Sequence, residues 1–264
     1  NKTVNEITTE DILRILQPYW NTKTETMTRV RQRIEYILGS ATTRGLRNGA
    51  NPALWKNHLE TILPKPSRVT PVIHQKALPY MEIPDFMVRL REKDSISALA
   101  LEFVILTACR STEVRLAQKS EIKDGIWTIP PKRMKARKEH KVPLSQRCLD
   151  IVAIALNCSG DSPYLFSKTG EYLSDSSMLK VLKVMKVNYV VHGFRSSFRD
   201  WGSEETTHSA EVLEKCLAHE ISNKVEKAYR RGNLLQARRH VMEDWGRYCL
   251  GKKQKVVVLK SNVA

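Results

Sequence analysis

Five prolines, Pro64, Pro66, Pro71, Pro79 and Pro84, fall within about twenty residues and make up nearly half of the chain's 11. Proline removes a backbone donor and keeps its predecessor out of the helical region, so such a stretch is extended and interrupts any continuous fold. It divides the chain into a first segment over residues 1–63, a linker over 64–84, a larger body over 85–250 and a tail over 251–264. A length of 264 residues has room for two domains, at roughly 100–200 residues each.

The first segment reads as helices. Thr8 or Thr9 caps a helix from Glu10 to Trp20, with acids in the first turn where the helix dipole favours them. Met27, Val30, Ile34, Ile37, Leu38 and Ala41 recur at steps of three and four, which predicts an amphipathic helix with Arg29, Arg31 and Arg33 on its polar side. Asn51-Pro52 supplies a cap and a first-turn proline, predicting a third helix. Beyond the linker, Ser97 to Ala108 is apolar all round except for Glu102, as in a helix buried in a core. Ile126–Ile129 and Lys141–Leu144 read as short strands flanking a basic connection, Pro131 to His140. Helices are expected over 147–157, 175–187, 193–204, 210–218, 223–230 and 233–249, and a last short strand over Val256–Leu259. The fold class is mainly α with a small antiparallel β-sheet (α+β).

Forty-four Lys and Arg against 28 Asp and Glu leave a net charge of +16. Such an excess points to a polyanionic partner, nucleic acid or an anionic membrane surface, with a solvated basic surface as the plain alternative. No apolar run reaches the ~18 residues that span a bilayer. Nor does any basic amphipathic helix carry an aromatic apolar face, so a membrane partner is not expected. Five scattered cysteines without a CxxC pair suit free thiols in a reducing cytoplasm.

Four stretches combine basic, hydrogen-bonding residues with apolar surroundings. Arg110 follows the buried helix, where it needs an anion, and Glu113 three residues on is one candidate; a purely structural ion pair is equally consistent. Lys132 to Lys141 carries six Lys or Arg in ten residues, which suits phosphate contact or a solvated loop. His192 and Arg195 are spaced to serve one site. Cys216 and His219 look like half a zinc site, but no second pair follows. Tyr229 stands beside Arg230 and Arg231, cations that favour phenoxide and thus nucleophilicity.

The order Arg, Lys, His-x-x-Arg, His, Tyr, together with the segments ALPYMEIPDFMVRLR, LEFVILTACRSTEVR, RMKARKEHKVPLS, HGFRSSFRDW and LAHEISNKVEKAYRR, resembles the tyrosine recombinases, most closely the integrases of prophages and genomic islands. The resemblance runs from about Val4 to about Cys249. It implies that Arg110 and Arg195 grip a scissile phosphate, that Glu113 orients the first arginine, and that Lys135 is the general acid toward the leaving 5′-oxygen. His192 and His219 would hydrogen-bond the phosphate and assist proton transfer. Tyr229 would form a 3′-phosphotyrosyl link, which keeps the phosphodiester energy and needs no ATP, metal or other cofactor.

The resemblance further implies a helical core-binding domain over 1–63 and a catalytic domain over 85–250, closing on double-stranded DNA attachment sites. Arg29, Arg33, Arg137, Lys138 and Arg230 are candidate DNA contacts. The expected assembly is a tetramer on DNA, with a directionality protein as a possible accessory, in a bacterial cytoplasm. The chain starts at a point resembling the middle of the core-binding domain, which suggests a truncated form. The helix over 233–249 and the strand after it resemble tails that pack on a neighbouring subunit; docking on their own domain is the alternative. A non-catalytic DNA-binding regulator of the same fold is the competing function.

Overall fold

The computed structural model describes residues 2–70, 76–219 and 234–251, and the chain forms two compact units, Asn1–His74 and Gln75–Ala264. In the first unit, α1 (Thr9–Trp20) starts at Thr8, whose hydroxyl accepts from the Asp11 amide while the Asp11 carboxylate accepts from the Thr8 amide. Ile12, Leu16 and Trp20 are buried against Met27 and Leu38 of α2 (Thr24–Thr43). Trp20 stacks on Trp55 at 5.7 Å.

Two expectations for this unit fail. Asn51-Pro52 begins a turn rather than an α-helix: the Asn51 side chain donates to the Glu35 carbonyl at 2.7 Å and accepts from the Ala53 amide at 3.0 Å, folding the chain back onto α2. The helical turns that follow are a 3₁₀ turn, Leu59–Thr61, and a single short helix α3 (Pro66–Val69) inside the proline-rich stretch. Arg31 does not face solvent with Arg29 and Arg33. It is buried, donates to the Ala53 carbonyl at 2.8 Å, pairs with Glu35 and lies over Trp55. Conversely Ile37 is exposed.

The second unit is organised around α5 (Ile96–Thr107), capped by Ser95 and buried along nearly its whole length. Around it pack α4 (Ile83–Arg91), α6 (Ser111–Arg115), α7 (Gln146–Ser159), α8 (Ser177–Val184), α9 (Gly193–Glu204) and α11 (Leu235–Cys249), with α10 (Ala210–Cys216) between α9 and α11. The lone acid of α5, Glu102, is buried and held by Arg91 at 2.7 Å and Arg147 at 2.9 Å, which compensates its desolvation.

A three-stranded antiparallel sheet, β1 (Ile122–Lys123), β2 (Ile126–Ile129) and β3 (His140–Pro143), packs beside the helices in the order β1-β2-β3. Its first strand was not expected from sequence, since two residues carry no readable period. The helix expected over 233–249 is no detached tail: Val241, Met242, Trp245 and Cys249 of α11 are buried in the core, and the Trp245 indole donates to the Ile105 carbonyl at 2.8 Å. The helix expected over 223–230 and the strand over Val256–Leu259 lie outside the described residues. Among the described residues no helix is long and apolar enough to cross a membrane.

Candidate active site

The site forms where α5 ends. Ala108 turns the chain with φ 51°, in the left-handed region, and Arg110 becomes the cap of α6 rather than the last residue of the apolar helix. Glu113, at the third position of α6, accepts from the Arg110 backbone amide and from its guanidinium, both at 2.8 Å. The pairing expected from sequence is present, with Glu113 buried and Arg110 partly open to solvent. One carboxylate thus holds both the backbone and the side chain of Arg110.

Arg195, on the first turn of α9, is buried at 4% exposure. Its guanidinium donates to the carbonyls of Ala108 and of Leu217, the latter at 2.7 Å, and meets His219 Nε2 at 3.1 Å. Burial lowers its pKa and nearby Arg110 lowers it further. Two guanidinium groups held together at the edge of a core create a site short of negative charge. Glu113 offsets only part of this.

The histidines form the open side. His192 caps α9 and is exposed, and its pKa is lowered by desolvation, then by Arg195, Arg110 and His219. His219 follows Ala218, another left-handed residue at φ 50°, and its Nδ1 lies 2.6 Å from Glu214 Oε2. Cys216 is a buried thiol with its pKa pushed up to about 11, and His219 is engaged by Glu214 and Arg195, so the half-zinc pattern is two unrelated local roles.

Gly193 has a steric reason. A Cβ there would fall 2.6 Å from the Lys76 carbonyl oxygen and 2.9 Å from Ala77 Cα. The chain at 76–78 runs across the start of α9, where Ser197 donates to the Leu78 carbonyl.

Arg110, Glu113, His192, Arg195 and His219 therefore converge. Lys135 stands exposed in the β2–β3 connection and, among the described residues, makes no hydrogen bond or ion pair with the cluster. Arg137, at φ 53°, and Lys138 are exposed in the same connection. Arg29 and Arg33 are exposed on α2 of the first unit, Arg29 paired with Glu25. Tyr229 and Arg230 lie outside the described residues.

Sequence reading passed over three contacts. Arg133 pairs with Glu121 and donates to the Glu113 carbonyl at 3.0 Å. Glu214 binds both His219 and Arg199. His140 is buried beside the site, with burial as the main cause and Arg238 the next in lowering its pKa to about 3. Only His140 had a local signal, a histidine at the inward-facing start of a strand.

The arrangement is a cluster of two guanidiniums and two histidines, graded from buried Arg195 to the exposed histidines and suited to one phosphate of a large polyanion. The comparisons agree with that reading. The sequence profile described as "Phage integrase family" matches residues 76–234, and that described as "Phage integrase central domain" matches residues 1–58. The chain belongs to the phage integrase family.

The prophage integrase IntZ of Escherichia coli (strain K12) is 30% identical over 253 residues, 92% of this chain and 60% of that protein. The integrase of Enterobacteria phage P4 is 29% identical over 210 residues, 70% of this chain and 48% of the relative. The chain thus spans about half the length of the curated relatives it matches. A lambda integrase dimer bound to a core site has the same fold, with a TM-score of 0.64 at 16% identity over 88% of this chain and 82% of that one.

Proposed function

We propose that the chain is a site-specific DNA recombinase that breaks and rejoins DNA through a 3′-phosphotyrosyl intermediate, integrating or excising a mobile element. The observation that carries it is the pairing of two converging guanidiniums with two histidines at one open site, in a member of the phage integrase family. Arg110 and Arg195 bind the non-bridging oxygens of the scissile phosphate and stabilise the negative charge that builds on them as phosphorus becomes five-coordinate. Glu113 keeps Arg110 in register.

Tyr229 Oη attacks phosphorus and loses its proton; the P–O5′ bond breaks, and Lys135 delivers a proton to the departing 5′-oxygen. His192 and His219 hydrogen-bond the phosphate and carry protons during the exchange. Religation is the same sequence reversed with a different 5′-hydroxyl as nucleophile. Because the phosphotyrosyl link retains the bond energy, the reaction needs no ATP, and with the charge of the phosphate met by Arg110 and Arg195 this reading assigns it no metal or other cofactor.

In this reading residues 1–63 form the core-binding domain, residues 64–84 the linker, residues 85–250 the catalytic domain and residues 251–264 the tail. Arg29, Arg33, Arg137, Lys138 and Arg230 contact DNA. The lambda integrases captured on DNA as a dimer and as a tetramer on a Holliday junction support assembly of this chain on double-stranded attachment sites. A directionality protein sets the outcome in a bacterial cytoplasm.

The test is covalent trapping on duplex DNA spanning the element's ends, nicked so that the cleaved fragment diffuses away. Wild type is expected to give a protein–DNA adduct on a denaturing gel, and Tyr229→Phe and Arg110→Ala to bind DNA without one. Binding by all three without any adduct would instead support the regulator reading.

A further inference from the structure

His219 is locked by two partners of opposite chemistry. A guanidinium has only donors, so the ring nitrogen facing Arg195, Nε2 at 3.1 Å, must accept. A carboxylate has only acceptors, so Nδ1, 2.6 Å from Glu214, must carry the proton. Glu214 is itself fixed: Arg199 Nε donates to its other oxygen at 2.6 Å. Burial opposes ionisation of this carboxyl, but the bonds from Arg199 and His219 outweigh it and hold its pKa below the ordinary value.

Arg195 and Arg199 are one turn apart on α9, while Glu214 and His219 belong to α10 and the turn after it. The four side chains close a ring from α9 through Arg199, Glu214, His219 and Arg195 back to α9. Gly202 of α9 makes room for α10, since a Cβ there would fall 2.5 Å from the Leu213 side chain.

We propose that Glu214 is a positioning residue for His219, selecting the tautomer with the proton on Nδ1 and turning Nε2 toward the reacting group, where it takes up a proton and then donates to the phosphate. This rests on the recombinase reading for its catalytic consequence, though not for the tautomer itself. When a phosphate oxygen replaces His219 as the partner of Arg195, Nε2 is left facing the reacting group with the carboxylate behind the ring, ready to stabilise the imidazolium formed when Nε2 takes a proton. Without Glu214 only the Arg195 contact remains, which either ring nitrogen can accept, so the ring is free to turn over and to carry its proton on the wrong nitrogen.

The experiment combines two readouts on the full chain. Nitrogen-15 NMR of histidine-labelled protein, with His219→Ala to assign the signal, should find the Nδ1–H form in wild type and a mixture or the other tautomer in Glu214→Ala. Glu214→Gln, which keeps an acceptor, should retain the wild-type form. In single-turnover trapping, Glu214→Ala should slow adduct formation by about tenfold to a hundredfold at unchanged DNA affinity, with partial recovery in Glu214→Gln.

A double variant with His219→Ala should be no slower than His219→Ala alone, because the carboxylate acts through the ring. An unchanged tautomer in Glu214→Ala, or an equal loss in both backgrounds, would overturn the proposal. Absence of any adduct in wild type would count against the recombinase reading, while the NMR result would still decide the role of Glu214.

Discussion

The Arg133 guanidinium donates to the Glu113 main-chain carbonyl at 3.0 Å. Glu113 orients Arg110 through its carboxylate, and Arg133 lies two residues before Lys135, so a single backbone carbonyl joins the root of the lysine-bearing connection to the arginine turn. The same guanidinium pairs with Glu121, which also accepts from the Trp127 indole at 3.1 Å on β2.

Replacing Arg133 by leucine should therefore act twice. It leaves the nearly buried Glu121 without its cation, a loss of about 2–4 kcal/mol, read as a lower urea midpoint. It also frees the connection, so adduct formation should fall more than DNA binding does. An unchanged midpoint would contradict the structural part.

His140 makes an acid-sensitivity prediction. Its folded pKa, about 3, is below the free value of 6.5, so between these limits the unfolded chain binds a proton that the folded chain does not. Stability is then full above the free value and is lost as pH falls toward the folded one, by about 1.4 kcal/mol per pH unit. His140→Asn should remove this slope from stability measured between pH 6.5 and 4.5, and an equally steep profile in the variant would contradict it.

His192 predicts a pH dependence of binding instead. Its pKa is lowered by desolvation, Arg195 and Arg110 in the free protein. A bound phosphodiester offsets those cations, so binding takes up a proton and affinity should strengthen as pH falls below neutrality. His192→Gln should flatten that dependence in fluorescence titrations at fixed salt, and an unchanged slope would argue against it.

Much of this architecture is legible in the residues themselves, for local reasons. Thr8 and Asp11 announce the start of α1, the apolar run announces α5, and alternation around Trp127 announces β2. The site residues Arg110, His192, Arg195 and His219 were readable because their order and flanking segments resemble a known family. What stayed hidden depends on residues distant in sequence. Arg31 looks like a surface arginine until Ala53 and Trp55 fold over it. Asn51 looks like a helix cap until its side chain bonds Glu35. Glu214 and Arg133 have no distinguishing neighbours, and their meaning comes only from the side chains that reach them.

Gly193 shows how the path of the chain constrains the HGFR motif. Its missing Cβ leaves room for main-chain atoms of Lys76 and Ala77, which cannot swing aside as a side chain would. Gly193→Ala should cost about 1–3 kcal/mol and weaken adduct formation by displacing His192 and Arg195. A thermal midpoint equal to that of wild type would contradict this packing.

The central claim is that Tyr229 becomes joined to DNA. The most direct measurement is to digest a trapped adduct with protease and nuclease and to locate the residual nucleotide by mass spectrometry. The account predicts a 3′-linked nucleotide on the peptide containing Tyr229 and on no other. A nucleotide on a different residue, or DNA cleaved with no protein attached, would contradict it.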